Sequence, residues 1–331
     1  MTVLLLVLSF VFFLALGVPI AFVLGLTPLV AMIVQGGTPL TLVAQRIFTG
    51  MDNMVLMAIP FFILAGNIMS RGGMTHQLVT FCKVLVGWLR GGLAYINVVI
   101  SMIFAGITGA AVADTSAIGS ILIPAMQREG YDTDFSAAVT ATSSTIGPVI
   151  PPSIPFIIYG VLGEVSIASL FLAGIVPGVL LGVFMMAVVA YYARVRNYPK
   201  ETLPTLKEAL KSFYEAALVL IMPLIILGGI LTGIFTPTES ACIAVFYALF
   251  IGIVVHRSIK LKDLPKLLID TAATSSLVML VIGMASIFSW VLASEQVPQM
   301  VTEAILSLTD SRIIILLLMN VVLLIVGTFM E

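Results

Sequence analysis

The sequence predicts an all-α, polytopic membrane protein, and three observations carry that prediction. Of the 331 residues, 60% are hydrophobic and only 9% charged, with a mean hydropathy of +1.21; so few charges cannot cover a water-soluble globule of this size. Apolar runs of roughly membrane-crossing length recur along the chain. One of them is broken by prolines: Ser143-Ser144-Thr145-Ile146-Gly147-Pro148-Val149-Ile150-Pro151-Pro152-Ser153-Ile154-Pro155 reads as non-helical backbone where, between Phe135 and Ala193, the only charge is Glu164. In hydrocarbon, such backbone persists only where it is buried in protein or lines a polar cavity, and broken helices of this kind bind ions and solutes. A transporter is the leading reading.

Composition excludes other classes. The 15 basic and 16 acidic residues nearly balance, which leaves no nucleic-acid footprint. Cys82 and Cys242 lie in apolar surroundings without metal-ligand spacing and read as buried bystanders. No charge of either sign precedes Arg46, so the basic start of a cleavable signal peptide is missing and the first apolar run is read as retained.

That first run extends over residues 3–34, beyond the roughly 20 needed to span a bilayer, and Gly17-Val18-Pro19 interrupts it, predicting a kinked or two-part element. Apolar segments follow at 54–70, 93–107, 110–126, 135–147, 154–193, 214–232, 238–255, 271–293 and 312–330. Asn67 reads as an interhelical hydrogen-bonding group. Residues 75–90, with Lys83, Trp88 and Arg90 among apolar neighbours, fit an interfacial helix. The arms 93–107 and 110–126, joined by Thr108-Gly109, are short and suggest a re-entrant hairpin; the alternative is one helix running through Gly106 and Gly109. Basic residues gather at 194–211 and 256–266 with two spans between, so both stretches lie on one side, which the positive-inside rule makes cytoplasmic. The turn at 233–237 then faces outward. There Thr236-Pro237-Thr238-Glu239 forms a capping box, which makes Glu239 structural rather than an ion-coupling carboxylate.

The chemistry concentrates around the break. Ala137, Thr140, Ser144 and Gly147 recur at three- or four-residue steps, a smooth face whose plainest use is close packing. Past Thr145, Pro148 and Pro151 remove amide donors and leave carbonyls without helical partners, oxygens that suit a hard cation such as sodium. Beyond Pro152, Ser153 and Pro155 start a second half-helix whose N-terminal amides suit an anionic group. The plainer reading is a proline kink with waters satisfying the backbone. Asp114 follows the hairpin tip within the first turns of the second arm; it either orients the tip or belongs to the site.

These residues resemble a family. Ala105-Gly106-Ile107-Thr108-Gly109 with Ala113-Asp114, Gly119-Ser120-Ile121-Leu122-Ile123-Pro124-Ala125-Met126, Ala141-Thr142 leading into the broken segment, Ile59-Pro60-Phe61-Phe62-Ile63-Leu64-Ala65-Gly66 and Gly233-Ile234-Phe235-Thr236-Pro237-Thr238-Glu239 are similar to the large permease subunit of tripartite ATP-independent periplasmic (TRAP) transporters. The resemblance covers essentially the whole chain. It implies a multi-pass permease of the bacterial inner membrane, not an enzyme, that imports organic acid anions with sodium as coupling ion and no other cofactor. The implied partners are a small TRAP membrane subunit and a periplasmic substrate-binding protein. It further implies two inverted repeats, each with a hairpin and a broken helix, moving as an elevator against a scaffold. Matched by motif, the sodium and substrate site falls near Thr108, Gly109, Asp114, Ser143, Ser144, Thr145 and Gly147, with sodium at Ser144, Thr145 and Gly147, and the helix break at Pro148, Pro151, Pro152 and Ser153. Sialic acids, C4-dicarboxylates, keto acids and sugar acids all remain open as cargo.

Within that scheme residues 54–193 form the first repeat, 194–213 a cytoplasmic linker, and 214–331 scaffold helices with a partial second repeat. Residues 287–294 and 313–331 align with 62–70 and the first hairpin arm, but nothing matches a second broken helix, so the sequence reads as truncated at Glu331 and as unable to transport in this form. Two other classes are weighed: an intramembrane enzyme using Asp114, which lacks a second catalytic group, and a structural membrane subunit whose breaks only shape packing.

Overall fold

In a computed structural model, which describes residues 2–109, 111–309 and 311–329, the regular structure among the described residues is helical apart from an isolated bridge between Arg90 and Lys200. The helices in order are α1 (Thr2–Ala15), α2 (Ile20–Gln35), α3 (Thr41–Met51), α4 (Ala58–Arg71) after a 3-10 turn at Met54–Met57, α5 (Met74–Val86), α6 (Gly92–Thr108), α7 (Ala111–Arg128) and α8 (Thr133–Ser144). Then follow α9 (Ile154–Leu162), α10 (Ile167–Val195), α11 (Leu206–Leu231), α12 (Pro237–Leu249) with a π-helical extension at Phe250–Val255, α13 (Leu264–Ser294), α14 (Val297–Leu308) and α15 (Arg312–Phe329). Among the described residues, Met54–Arg71, Ile167–Val195, Leu206–Leu231, Pro237–Val255 and Leu261–Ser294 are long and apolar enough to cross a membrane.

Contacts divide the chain into two units, Asn53–Ser276 and Met1–Asp52 with Leu277–Glu331. In the first, α4 packs along α12, and Thr238 Oγ1 donates to the Met54 carbonyl at 2.9 Å. Asn67 plays the interhelical part its sequence position suggests, donating from Nδ2 to Thr271 Oγ1 at 3.0 Å, and Arg71 pairs with Asp270 one turn away. The capping box at the start of α12 forms as expected: the Thr236 amide donates to Glu239 Oε2 at 2.8 Å and the Glu239 amide to Thr236 Oγ1 at 3.3 Å. A second box, Thr205 with Glu208, begins α11 at Leu206, so Lys207 and Lys211 stand on a helix.

The apolar run 154–193 is two helices, not one. α9 ends at Leu162, Gly163 and Glu164 turn the chain with Glu164 at φ 51°, and the Ser166 hydroxyl caps α10 by accepting from the Ser169 amide at 3.3 Å. The lone charge of the run marks the turn because a carboxylate is costly inside an apolar helix pair.

In the second unit the first apolar run is two-part, as expected. Gly17 turns at φ 74°, and α1 and α2 pack on each other. Leu6, Ala31 and Met32 form a core with Ile287 and Val291 of α13. Arg46 lies over the Trp290 ring at 5.5 Å, and Gln35 Nε2 donates to Glu295 Oε1 at 2.8 Å. Glu331 and the side chain of Thr328 lie outside the described residues.

Candidate functional site

The hairpin is present. α6 ends at Thr108, Gly109 turns at φ 60°, and α7 runs back along α6, so that Asn97 Nδ2 near the start of one lies 3.9 Å from Met126 Sδ near the end of the other. A side chain at Gly109 would meet the Pro152 carbonyl oxygen at 2.9 Å and the Ile154 amide nitrogen at 3.1 Å. Gly109 is thus required twice, for its left-handed backbone and for seating the tip on the start of α9.

α8 packs against α6 through Thr140 and Ser143, while Ala137 of the stripe read from the sequence is exposed and Gly147 lies against Asp114 of α7; what joins α8 to α6 is polar. Ser101 Oγ donates to Ser143 Oγ at 3.0 Å, Ser143 Oγ reaches Asn97 Oδ1 at 3.2 Å, Asn97 Nδ2 donates to Thr140 Oγ1 at 2.6 Å, and Thr140 Oγ1 donates to the Ser136 carbonyl at 2.8 Å. All five residues are buried. A buried network of this kind fixes register because each broken link leaves an unsatisfied group.

At Thr145 the helix gives way to successive tight turns. The amides of Ile146, Gly147 and Val149 return to the carbonyls of Ser143, Ser144 and Ile146. The peptide joining Pro151 and Pro152 is cis. Ser153 then works in both directions: its hydroxyl donates to the Pro148 carbonyl at 2.5 Å and accepts from the Phe156 amide at 3.3 Å, capping α9. One carbonyl freed by the prolines is therefore satisfied within the break. The first turn of α9 is likewise largely committed, since Pro155 has no amide, Phe156 is capped and Ile157 bonds to the Ser153 carbonyl. Among the described residues, the first-turn amide of α9 left without a hydrogen-bond partner is that of Ile154, beside the hairpin tip.

Asp114, in the first turn of α7, is wholly buried, and its Oδ2 lies 2.8 Å from where a side chain of Gly147 would begin. The carboxylate thus reaches the break. Among the described residues no group donates to the carbonyls of Thr145 or Gly147. The hydroxyls of Ser144 and Thr145 give their protons to the carbonyls of Thr140 at 2.8 Å and Thr142 at 2.7 Å, so what each has left to offer is its lone pairs. Carboxylate, carbonyl and hydroxyl oxygens gathered at one place make a set suited to a hard cation.

Two supports were not anticipated. Gly174, Gly178 and Gly182 line one side of α10 at four-residue steps, and side chains there would begin 2.5 Å from the Val149 carbonyl oxygen, 2.4 Å from Ile150 and 2.2 Å from Met102. This small-residue stripe brings α10 against the broken segment and α6, and its G-x-x-x-G-x-x-x-G spacing was a readable signal. At the other end of α8, Asp132 Oδ2 accepts from Arg196 Nη1 at 2.6 Å and from the Tyr198 hydroxyl at 2.8 Å, tying the α7–α8 turn to the end of α10. The Tyr198 hydroxyl, with the Arg196 guanidinium, holds the Asp132 carboxyl below the usual carboxylate range.

Of the predicted residues, Asp114, Ser144 and Gly147 come together at the near end of the break, and Gly109, Pro152 and Ser153 at the far end. Ser143 faces α6, and Thr145 is exposed. Pro148 is tied to Ser153, and Pro151 shares the cis peptide with Pro152. The side chain of Thr108 lies outside the described residues.

The family profile described as tripartite ATP-independent periplasmic transporter, DctM component, matches residues 7–331. The chain is 44% identical over 323 residues to the isethionate TRAP transporter permease protein DctMQ of Oleidesulfovibrio alaskensis, covering 97% of this chain and 51% of that one. It is 39% identical over 315 residues to the sialic acid TRAP transporter large permease protein SiaM of Vibrio cholerae, covering 95% and 74%. To the 2,3-diketo-L-gulonate TRAP transporter large permease protein YiaN of Escherichia coli it is 39% identical over 317 residues, covering 96% and 75%. The chain thus spans about half the length of the first relative and about three quarters of the other two.

Proposed function

The chain belongs to the family of DctM components of tripartite ATP-independent periplasmic transporters, and on that premise we propose that it carries the first-repeat half of a sodium-coupled site for importing organic acid anions. It is a multi-pass protein of the bacterial inner membrane, from a family of permeases rather than enzymes. Sodium is taken at the near end of the break, by oxygens around Asp114, Ser144, Thr145 and Gly147. The acid is taken at the far end, where the Ile154 amide and the positive end of α9 favour negative charge. Hairpin and broken helix travel together, as an elevator, between the two faces of the membrane. The acid is delivered by a periplasmic binding protein, and a small membrane subunit completes the assembly.

The observation that carries this reading is the Asp114 carboxylate buried against Gly147, at a place where the helix has opened. A sodium ion held there draws on the Asp114 carboxylate together with the neighbouring carbonyl and hydroxyl oxygens, the ligand type a hard cation takes. The substrates for which these relatives are named, isethionate, sialic acid and 2,3-diketo-L-gulonate, support an organic acid as cargo. The length of the relative named DctMQ, about twice what this chain covers, supports a small subunit as partner.

The test is uptake of labelled organic acids into proteoliposomes holding the full-length permease and small subunit, with binding protein outside and a sodium gradient directed inward. Uptake is expected to require the gradient and the binding protein. Equal uptake with potassium replacing sodium would overturn the coupling.

A further inference from the structure

On the side that the basic stretches place toward the cytoplasm, α5, the connection 196–205 and the first turns of α11 line an open cavity of about 360 Å³. Its wall carries both signs of charge. Lys83 Nζ lies 2.7 Å from Glu201 Oε1, and Lys211 Nζ lies 3.8 Å from Glu215 Oε1. Ser212 lines the same cavity, is 5% exposed, and its hydroxyl has no hydrogen-bond partner among the described residues. A hydroxyl withdrawn from water without a partner is destabilising unless a ligand supplies one. Beside the cavity, Leu203, Leu206 and Phe213 are exposed, an apolar border at the level where α11 enters its membrane-crossing length.

These features select among ligands. A simple anion meets two ammonium groups already held by carboxylates, and a simple cation meets the reverse. A ligand carrying a phosphate and a primary ammonium close together can exchange partners with both pairs at once. The apolar border adds a requirement for hydrocarbon next to that headgroup, and the cytoplasmic interface supplies such a molecule.

We propose that this cavity binds the phosphoethanolamine headgroup of a membrane phospholipid. Lys83, Lys211 and the Ser212 hydroxyl take the phosphate, Glu201 and Glu215 take the ammonium, and the acyl chains lie over Leu206 and Phe213. Bound there, the lipid joins α5 to the start of α11 and holds the cytoplasmic end of the first unit.

The test uses the full-length permease, stripped of lipid in detergent and titrated with phosphatidylethanolamine, phosphatidylglycerol, phosphatidylcholine or soluble phosphoethanolamine. Binding is read by native mass spectrometry and by the shift in melting temperature. Phosphatidylethanolamine is expected to bind about tenfold more tightly than phosphatidylglycerol, which lacks the ammonium, or phosphatidylcholine, whose ammonium has no N–H to donate. Ser212→Ala is expected to weaken that binding about tenfold while leaving the lipid-free melting temperature unchanged or raised, since the orphan hydroxyl is gone. Lys211→Gln, at an exposed position, is expected to weaken it similarly. Equal binding of the three lipids, or undiminished binding by both variants, would overturn the proposal. So would soluble phosphoethanolamine matching the lipid, which would make the ligand a soluble phosphate ester.

Discussion

Asp114 and Gly147 meet at the break: a methyl group on Gly147 would stand 2.8 Å from Asp114 Oδ2 and 3.8 Å from its carboxyl carbon. The carboxylate comes from the first turn of α7 and the glycine lies just past α8, so this contact ties the hairpin to the broken helix. The contact brings the Asp114 carboxylate beside the break, a position compatible with both roles read from the sequence, orienting the tip and belonging to the site.

Gly147→Ala puts methyl and carboxylate in the same space, and one must move. Overpacking of this kind costs about 1–3 kcal/mol. In the full-length permease the expected outcome is a lower unfolding midpoint in detergent together with loss of sodium-induced stabilisation. Both quantities unchanged would mean that the contact constrains nothing.

Asp114→Asn keeps the shape and removes the charge. If the carboxylate neutralises sodium, the sodium concentration giving half-maximal thermal stabilisation rises about tenfold or more, a change of about 1.4 kcal/mol or above. If it serves only to orient the tip, the asparagine keeps the sodium response of the parent. Sodium titration of the melting temperature, with potassium as control, separates the two.

Ser153→Ala removes both bonds that close the break, the one to the Pro148 carbonyl and the cap on Phe156. A lost cap costs about 1 kcal/mol and a buried carbonyl left unpaired about 1–3 kcal/mol. A lower unfolding midpoint is expected for the alanine variant, with most of the loss recovered in Ser153→Thr, which keeps the hydroxyl. A midpoint equal to the parent's would show that water replaces both bonds.

Much of this was legible because it depends on neighbours in the chain. The prolines at 148 and 151 announce a break, Gly109 a tip, and Thr236 with Glu239 a cap, each through chemistry reaching no further than four residues. What was not legible depends on approach between elements. Thr140 belonged to the stripe read on α8, but the links to α6 also use Ser143 and leave Ala137 exposed, and the partners Asn97 and Ser101, spaced four apart on α6, become meaningful only once the two helices pack. The bond by which Ser153 folds back onto the Pro148 carbonyl was likewise not apparent before the turns of the break were known. The turn at Glu164 was signalled by the lone charge in its run.

The glycines of α10 allow a paired test. A side chain at Gly174 would begin 2.5 Å from the Val149 carbonyl oxygen, whereas one at Gly228 in α11 would meet nothing within 4 Å. Gly174→Ala must push backbone and is expected to cost about 1–3 kcal/mol. Gly228→Ala relieves a flexible helix position and is expected to gain up to about 1 kcal/mol. Unfolding midpoints of the two variants moving in the same direction would sink the view that the stripe serves close approach.

The cluster at the start of α8 predicts a pH dependence whose sign follows from Asp132. Its carboxyl is held below the ordinary value of 3.8, first by the Tyr198 hydroxyl and then by Arg196, so the folded chain holds its proton less tightly than the unfolded chain. Stability from this cluster is therefore fully present above the ordinary carboxylate value and is lost as the pH falls through the lower folded one. Asp132→Asn removes it at every pH. Parent and variant are expected to differ in melting temperature at neutral pH and to converge as the pH is brought below 3.8. The gap at neutral pH should narrow with added salt, because the ion pair is exposed. A gap unchanged between neutral and strongly acidic pH would show that Asp132 acts through packing rather than charge, and that Arg196 and Tyr198 hold the end of α10 without it.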